Sequence, residues 1–195
     1  MAAKITKSSV LYVVKICSVL LVITMCVAFL LSFVNAVTKD TIAANEAAQI
    51  SEALTKLFPG ASSPAANELE GEFEESVNGF YEVKDGAETV GYYANVSPVG
   101  FKGAVNMMVG LSTDGKVVGV QILSHGETIG IGTKIEDADF LKGFEGKIGS
   151  LEYKKGSSGE SGFIDGISGA TYSSKAVIQG VDHTLKAYAA VKGGA

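Results

Sequence analysis

Residues 165–174 read Asp-Gly-Ile-Ser-Gly-Ala-Thr-Tyr-Ser-Ser and lead directly into a segment with helical periodicity. Apolar residues recur every three or four positions over 173–191, which predicts the last helix of the chain. The first amides of a helix have no intrahelical acceptor and carry a partial positive charge, so they bind anions. The hydroxyl of Thr171 would then stand beside a phosphate-binding position. Ser, Thr and Asp are also common N-caps, so a purely structural cap is the alternative.

A second Gly-rich stretch occupies residues 124–134, with the sequence Ser-His-Gly-Glu-Thr-Ile-Gly-Ile-Gly-Thr-Lys, directly after a predicted strand. Glycines let the backbone approach a flat ligand closely, and the bulky Ile129 and Ile131 are suited to covering an aromatic ring. The alternative is a surface loop whose glycines serve only its turns. The Gly-x-Gly spacing has little specificity outside a Rossmann unit.

The two stretches also contain Ser168, His125 and Asp165, the residue types of a hydrolase triad. However, Ala170 stands where a nucleophile elbow needs its last glycine, and no strand leads into this loop. The sequence therefore disfavours a hydrolase.

The region before and between these stretches has the pattern of a sheet. Runs rich in Val, Tyr and Met predict strands over 79–83, 89–96, 105–111 and 116–123. Asp114-Gly115 separates the last two runs and indicates a hairpin turn. Three further segments are expected to be a linker over 61–68, a short helix over 137–144 and a loop over 156–170. Strands followed by a packed helix predict an α+β domain with an antiparallel sheet.

An uncharged apolar segment at 16–37 predicts a single transmembrane anchor. At about 1.5 Å per residue it reaches about 33 Å, enough to cross a hydrocarbon core of about 30 Å. Lys4, Lys7 and Lys15 precede it without an acidic residue, so the N-terminus at 1–15 is expected in the cytoplasm and the remainder outside. A cleaved signal peptide is the alternative, but its apolar region is usually shorter. An amphipathic helix over 41–58 should follow, ended by Pro59-Gly60.

The charge composition excludes some partners. The net charge is −5 and all 16 basic residues are Lys, so no guanidinium group is available to clamp a phosphate. Nucleic acid is not an expected partner, because the chain has no basic surplus. Cys17 and Cys26 both lie in the apolar segment, where they are expected to act as small packing residues.

Taken together, the two stretches resemble the motifs of the FMN-binding domain family. Asp165 and the run 168–171, Ser-Gly-Ala-Thr, are similar to the family's flavinylation motif, and 127–134 is similar to its loop against the flavin. The resemblance implies that FMN is joined through a phosphodiester to Thr171, and that a flavin transferase recognises Asp165. It also implies the cofactor contacts Glu127, Thr128, Gly130, Ile131, Gly132, Lys134, Ser168, Gly169, Ala170, Ser173 and Ser174. It implies neither a catalytic side chain nor a metal site.

The plan of the chain is similar to that of the G subunits of Rnf-type ion-translocating ferredoxin:NAD oxidoreductases. This likeness implies an electron-transfer subunit in the bacterial inner membrane, with other membrane subunits as partners and no complete activity of its own. The domains would be the anchor at 16–37, a helix and linker at 38–68 and an extracytoplasmic FMN-binding domain at 69–195. The alternatives are the C subunit of a sodium-pumping NADH:quinone reductase, a free-standing anchored FMN carrier, and a scaffold domain without flavin.

Overall fold

The computed structural model describes residues 7–61, 64–156 and 162–193 of the chain. Two long helices flank a five-stranded sheet in sequence order, and short elements connect the last strand to the last helix. The elements are α1 (Lys7–Leu57), β1 (Pro64–Leu69), β2 (Val77–Asp85), β3 (Glu88–Val96), β4 (Val105–Leu111), β5 (Val117–His125), a 3-10 turn (Gly132–Glu136), α2 (Ala138–Lys142), β6 (Glu152–Tyr153), β7 (Phe163–Ile164) and α3 (Thr171–Gly193).

The main sheet is an antiparallel meander in the order β1-β2-β3-β4-β5. The predicted hairpin between β4 and β5 is confirmed, with Gly115 at φ +75° completing its turn. At such a φ a side chain would be strained, so glycine is favoured there. The α+β class and the antiparallel sheet with packed helices are thus as predicted.

The sheet is covered on both faces, because its strands alternate their apolar side chains between two clusters. One cluster joins the sheet to α3 and includes Phe80 and Val109 opposite Val177 and Val181. The other joins the opposite face to the last turns of α1 and consists of Ala53, Leu54, Leu57, Phe58, Val83, Tyr93 and Met108. The end of α1 therefore belongs to the core of this domain.

Glycines on three neighbouring strands let the end of α1 approach the sheet. A Cβ built on Gly91 would lie 2.5 Å from the Phe58 ring. One on Gly110 or Gly119 would lie 3.2 Å or 3.0 Å from a methyl group of Leu57. Side chains at these positions would force the helix away from the strands, since core atoms are already in contact.

The chain divides into two compact units, residues 1–48 and residues 49–195. In the first unit the large apolar side chains of α1 lie exposed. The stretch Leu11–Leu57 is, among the described residues, the one helix long and apolar enough to cross a membrane.

The structure corrects the sequence prediction at three places. The helices expected over 16–37 and 41–58 are parts of one helix, α1, because no Gly or Pro interrupts the sequence between them. The linker expected over 61–68 contains most of β1, an edge strand that tolerates Pro64 as its first residue. The loop expected over 156–170 contains β7, which pairs in parallel with β6; residues 62–63 and 157–161 lie outside the described residues.

A buried carboxylate in α3 holds the segment before β6 against the helix. Asp182 accepts hydrogen bonds from the Leu151 amide at 2.8 Å and the Ser150 hydroxyl at 2.9 Å, and Lys186 lies 3.0 Å away. Burial raises the pKa of Asp182, but these hydrogen bonds and the Lys186 charge outweigh it, so the pKa lies below its ordinary value. The folded state thus favours the ionised form.

We expect Asp182→Ala to destabilise the folded domain by about 1–3 kcal/mol, because it leaves a buried amide without an acceptor. The stabilisation by Asp182 should be complete above the ordinary pKa of an aspartate and be lost as the pH falls through the lower folded-state pKa. Thermal unfolding of the detergent-solubilised chain between pH 3 and pH 7 measures both effects. Exposed Asp139→Ala is the matched control. Equal melting temperatures for the two variants would contradict this role.

Candidate cofactor site

A cavity of about 320 Å³ opens where three segments of the unit 49–195 meet. The segments are the turn before β4, the loop after β5 and the first turn of α3. The cavity is lined by Phe101, Glu127, Thr128, Ile131, Gly132, Gly169, Ala170, Thr171, Tyr172 and Ser173. The two stretches singled out in the sequence therefore form one site.

Thr171 is the first residue of α3 and lies half-buried in the cavity wall. The Ser174 amide donates to the Ala170 carbonyl at 2.9 Å, so the amides of residues 171–173 precede this first bond of the helix. In the described ranges of the chain no hydrogen bond is formed by the Thr171 hydroxyl. Helix amides and an uncommitted hydroxyl thus lie together at the cavity.

The loop that precedes α3 is fixed by its own hydrogen bonds. Buried Ser174 accepts from the Ile167 amide at 2.9 Å, and the Ala170 amide donates to the Ile167 carbonyl at 3.0 Å. Gly169 has φ +84°, which brings the backbone round into the helix without strain. Thr171 is therefore held on a tight turn, whose geometry needs this glycine.

The buried carboxylate of Glu127 joins all three segments. Its Oε1 accepts from the amides of Phe101 at 2.8 Å and Lys102 at 3.1 Å, and its Oε2 accepts from the Ser173 hydroxyl at 2.6 Å. We call this arrangement the Glu127 bridge. It positions the side chains around the cavity, because each segment contributes at least one wall residue.

The Glu127 bridge also stabilises the ionised carboxylate. Burial raises the pKa of Glu127, but the hydrogen bonds from Ser173, Lys102 and Phe101 outweigh that effect and leave the pKa below its ordinary value. A negative charge therefore persists in the cavity wall at neutral pH.

Two glycines make room for this carboxylate. A Cβ on Gly100 would lie 2.5 Å from Glu127 Oε1, and one on Gly132 would lie 2.8 Å from Glu127 Cβ. Gly132, for which a backbone contact with the cofactor is predicted, lines the cavity. The local sequence gives no sign that residue 132 must also leave room for the Glu127 side chain.

Two aromatic residues of the site were not predicted from the sequence. Phe101 and Tyr172 line the cavity with their ring centroids 6.1 Å apart, and both are largely exposed. The signal for Tyr172 was its position directly after Thr171. Phe101 lies in the sequence Gly-Phe-Lys-Gly, and a single apolar residue in a turn gives no local signal of a ligand contact.

The predicted contacts divide into two groups. Glu127, Thr128, Ile131, Gly132, Gly169, Ala170 and Ser173 line the cavity with Thr171. Gly130, Lys134, Ser168 and Ser174 do not line it: the first three are exposed, and Ser174 is bonded to Ile167. Asp165 lies upstream, where it accepts from the Gly156 amide at 2.9 Å.

The geometry gives no support to a hydrolase triad. His125 lies with Nε2 3.0 Å from Glu136 and accepts from the Glu127 amide through Nδ1. Within the described residues, neither Ser168 nor Asp165 bonds to the ring of His125. This agrees with the missing elbow glycine noted in the sequence.

The fold and cavity define an α+β ligand-binding domain, and comparison with known proteins identifies its family. Residues 100–186 match the FMN-binding domain family. The chain is 32% identical to the G subunit of the Na(+)-translocating ferredoxin:NAD(+) oxidoreductase complex of Acetobacterium woodii, over 90% of this chain and 91% of that protein. It is 27% identical to the G subunit of the ion-translocating oxidoreductase complex of Vibrio vulnificus, over 80% of each chain.

A solved structure shares the fold. The crystal structure of the C subunit of the Na(+)-translocating NADH-quinone reductase from Parabacteroides distasonis superposes with a TM-score of 0.52 and 23% identity, covering 71% of this chain and 81% of that one. The chain therefore belongs to the FMN-binding domain family, among the G subunits of ion-translocating oxidoreductase complexes.

We expect Glu127→Ala to lower the free energy of unfolding by about 2 kcal/mol or more, because two backbone amides lose their acceptor. Glu127→Gln should cost less, since its amide oxygen still accepts from Phe101 and Lys102. Thermal unfolding of the purified full chain at pH 7 distinguishes them, with exposed Glu145→Ala as the control. A wild-type melting temperature for Glu127→Ala would show that the bridge does not stabilise the site.

Proposed function

We propose that this chain holds FMN in the cavity, joined by a phosphodiester to Thr171, and relays electrons in a membrane ion-translocating oxidoreductase complex. The observation that carries the proposal is the position of the Thr171 hydroxyl, in the cavity wall at the start of α3. A phosphate joined to that hydroxyl would lie beside the amides of the first turn, where the helix dipole favours negative charge.

The residues present fit a phosphate held in this way. The chain has no Arg, and among the described residues Lys is absent from the cavity lining. Backbone amides and hydroxyl groups are therefore the donors available at this site. Binding through such donors alone would be reversible, whereas an ester bond would retain the cofactor.

The volume and the lining of the cavity also support the proposal that it holds FMN. Pockets for small ligands usually measure about 300–1,000 Å³, and this one is at the small end of that range. Its apolar lining by Phe101, Ile131 and Tyr172 suits a flat aromatic ring. FMN supplies one- and two-electron redox chemistry when bound, while these residues orient its ring and partly exclude water.

The names of the relatives support a relay within a larger complex. The G subunit from Acetobacterium woodii is named for a Na(+)-translocating ferredoxin:NAD(+) oxidoreductase, and that from Clostridium ljungdahlii for a proton-translocating one. We infer that this chain works with other membrane subunits of a similar complex and has no complete activity alone. The apolar part of α1 supports anchoring in the bacterial inner membrane.

Maturation is the role we propose for Asp165. It lies six residues before Thr171 in a loop that is partly exposed, where a flavin transferase could reach it. The neighbouring residues 157–161 lie outside the described residues. Ser173 carries another hydroxyl beside Thr171 in the cavity lining, but that hydroxyl donates to Glu127.

We expect Thr171→Ala to abolish flavin fluorescence of the denatured chain in a gel, because the attachment hydroxyl is lost. Exposed Thr113→Ala, the same substitution outside the site, should retain full fluorescence. Mass spectrometry of the peptide containing residues 165–175 should show one FMN, less water, on Thr171. Thr171→Ala should also stop ferredoxin-linked NAD reduction in the assembled complex, since carriers in series are all required.

Three outcomes would contradict the proposal. An adduct on Ser168 or Ser173 would move the attachment site. Full complex activity in Thr171→Ala would favour a scaffold role without flavin. A fluorescent chain that never co-purifies with membrane subunits would favour a free-standing carrier.

We also propose that the N-terminus is cytoplasmic and that residues 38–195, with the unit 49–195 as the outer unit, lie outside the cytoplasm. Lys precedes the apolar segment and all acidic residues follow it. Protease added to intact spheroplasts should therefore digest the outer unit and leave a cytoplasmic N-terminal tag intact. Protection of the outer unit would reverse this orientation. A mature chain beginning near Val37 would show a cleaved signal peptide instead of an anchor.

A further inference from the structure

Exposed apolar side chains of the outer unit are concentrated at the cavity. Among the described residues beyond α1, the large exposed ones are Val99 (77%), Phe101 (65%), Val118 (37%), Ile129 (89%), Ile131 (50%), Ile148 (58%) and Tyr172 (70%). All but Val118 and Ile148 lie in the three segments that form the cavity. We call Val99, Phe101, Ile129, Ile131 and Tyr172 the mouth patch. Grouped exposed apolar residues indicate a binding surface.

A ligand in the cavity accounts for only part of the mouth patch. Phe101, Ile131 and Tyr172 line the cavity, so a bound flavin would cover part of each. Val99 and Ile129 do not line it, and they are the two most exposed of the group. These two side chains flank the site on separate segments, where a second molecule could contact both them and the edge of the cofactor.

Three exposed lysines lie on the segments that carry the mouth patch. Lys102 follows Phe101, Lys134 lies three residues after Ile131, and Lys175 lies three residues after Tyr172; all are exposed.

Three carboxylates of these segments have partners within the domain, whereas Asp137, directly after Glu136, is exposed. Glu127 is bonded to the amides of Phe101 and Lys102, and Glu136 lies 3.0 Å from His125. Asp165 accepts from the Gly156 amide. With Glu127 buried and Asp165 half-buried, the exposed charges of these segments are the three lysines and the carboxylates of Glu136 and Asp137.

We propose that the mouth patch docks another protein of the same redox complex, through an apolar surface on that protein bordered by Asp and Glu. The inference rests on the proposed function, because electron transfer slows steeply with distance and the partner's cofactor must approach the cavity mouth. Electron-transfer interfaces are typically small, and opposite charges at their rims speed association. A patch of five apolar residues with a lysine rim fits such a partner.

Site-specific photo-cross-linking in native membranes tests the contact. The full chain would carry p-benzoylphenylalanine in place of Ile129 or Val99, and in place of Ile148 or Val118 as matched controls. We expect adducts with another protein of the complex, identified by mass spectrometry, at least about tenfold more abundant at 129 and 99 than at the controls. Adducts with lipid or with a second copy of this chain, or equal yields at all four positions, would overturn the proposal.

The cross-link does not require flavin, so it can be repeated in Thr171→Ala. Docking that persists in that variant separates this inference from the attachment of FMN. If cross-linking succeeds but no FMN is found on Thr171, the proposed function fails and the docking surface stands.

Charge reversal tests the lysine rim. In Lys102→Glu with Lys134→Glu, we expect the rate of flavin reduction within the complex to fall by about tenfold at low ionic strength. Rates are compared per bound flavin, measured by gel fluorescence, and exposed Lys142→Glu should behave as wild type. High salt should narrow the difference between the double variant and wild type. A wild-type rate in the double variant would show that the lysines do not guide a partner.

Discussion

The site depends on one buried carboxylate. Glu127 takes hydrogen bonds from the turn at Phe101 and Lys102 and from Ser173 in the first turn of α3, so three distant parts of the sequence share one anion. Burying such a charge is unfavourable without several donors, and here the donors are the segments that must be brought together. The hydrogen bonds that keep Glu127 ionised are thus the same ones that hold the three segments of the cavity together.

The sheet provides the frame on which this bridge can be made. Covering both faces requires strands with alternating apolar side chains, and glycines at 91, 110 and 119 let α1 pack closely on one face. On the other face α3 packs lengthwise, and Tyr188 near its end donates to the Thr113 carbonyl in the β4–β5 turn at 2.7 Å. The start of α3 is consequently fixed relative to the end of β5.

Much of this arrangement was predictable from the sequence, and the exceptions have physical reasons. Runs rich in Val, Tyr and Met predicted four strands, and Asp114-Gly115 predicted the hairpin between the last two, because these signals are local. The strand β1 was missed, since Ser, Pro and Ala at its start are typical of a linker and only pairing with β2 makes it a strand. The two motifs predicted that Thr171 and the loop at 127–134 belong to the cofactor site. Glu127 was expected to contact the cofactor and does line the cavity, yet both its oxygens are bonded within the protein, through donors that no local pattern contains.

A cofactor that must exchange electrons with a partner protein needs an exposed edge, while a cofactor held by burial alone needs enclosure. The cavity here is small and opens between exposed aromatic side chains, so it would leave an edge of the cofactor exposed. Enclosure is then insufficient as the means of retention, and a chain without Arg cannot compensate with bidentate phosphate contacts. A covalent bond at Thr171 would resolve this conflict, because it retains the flavin whatever fraction of its ring stays exposed. The open mouth would then leave the ring accessible to a partner, and the bond at Thr171 would keep the flavin in place.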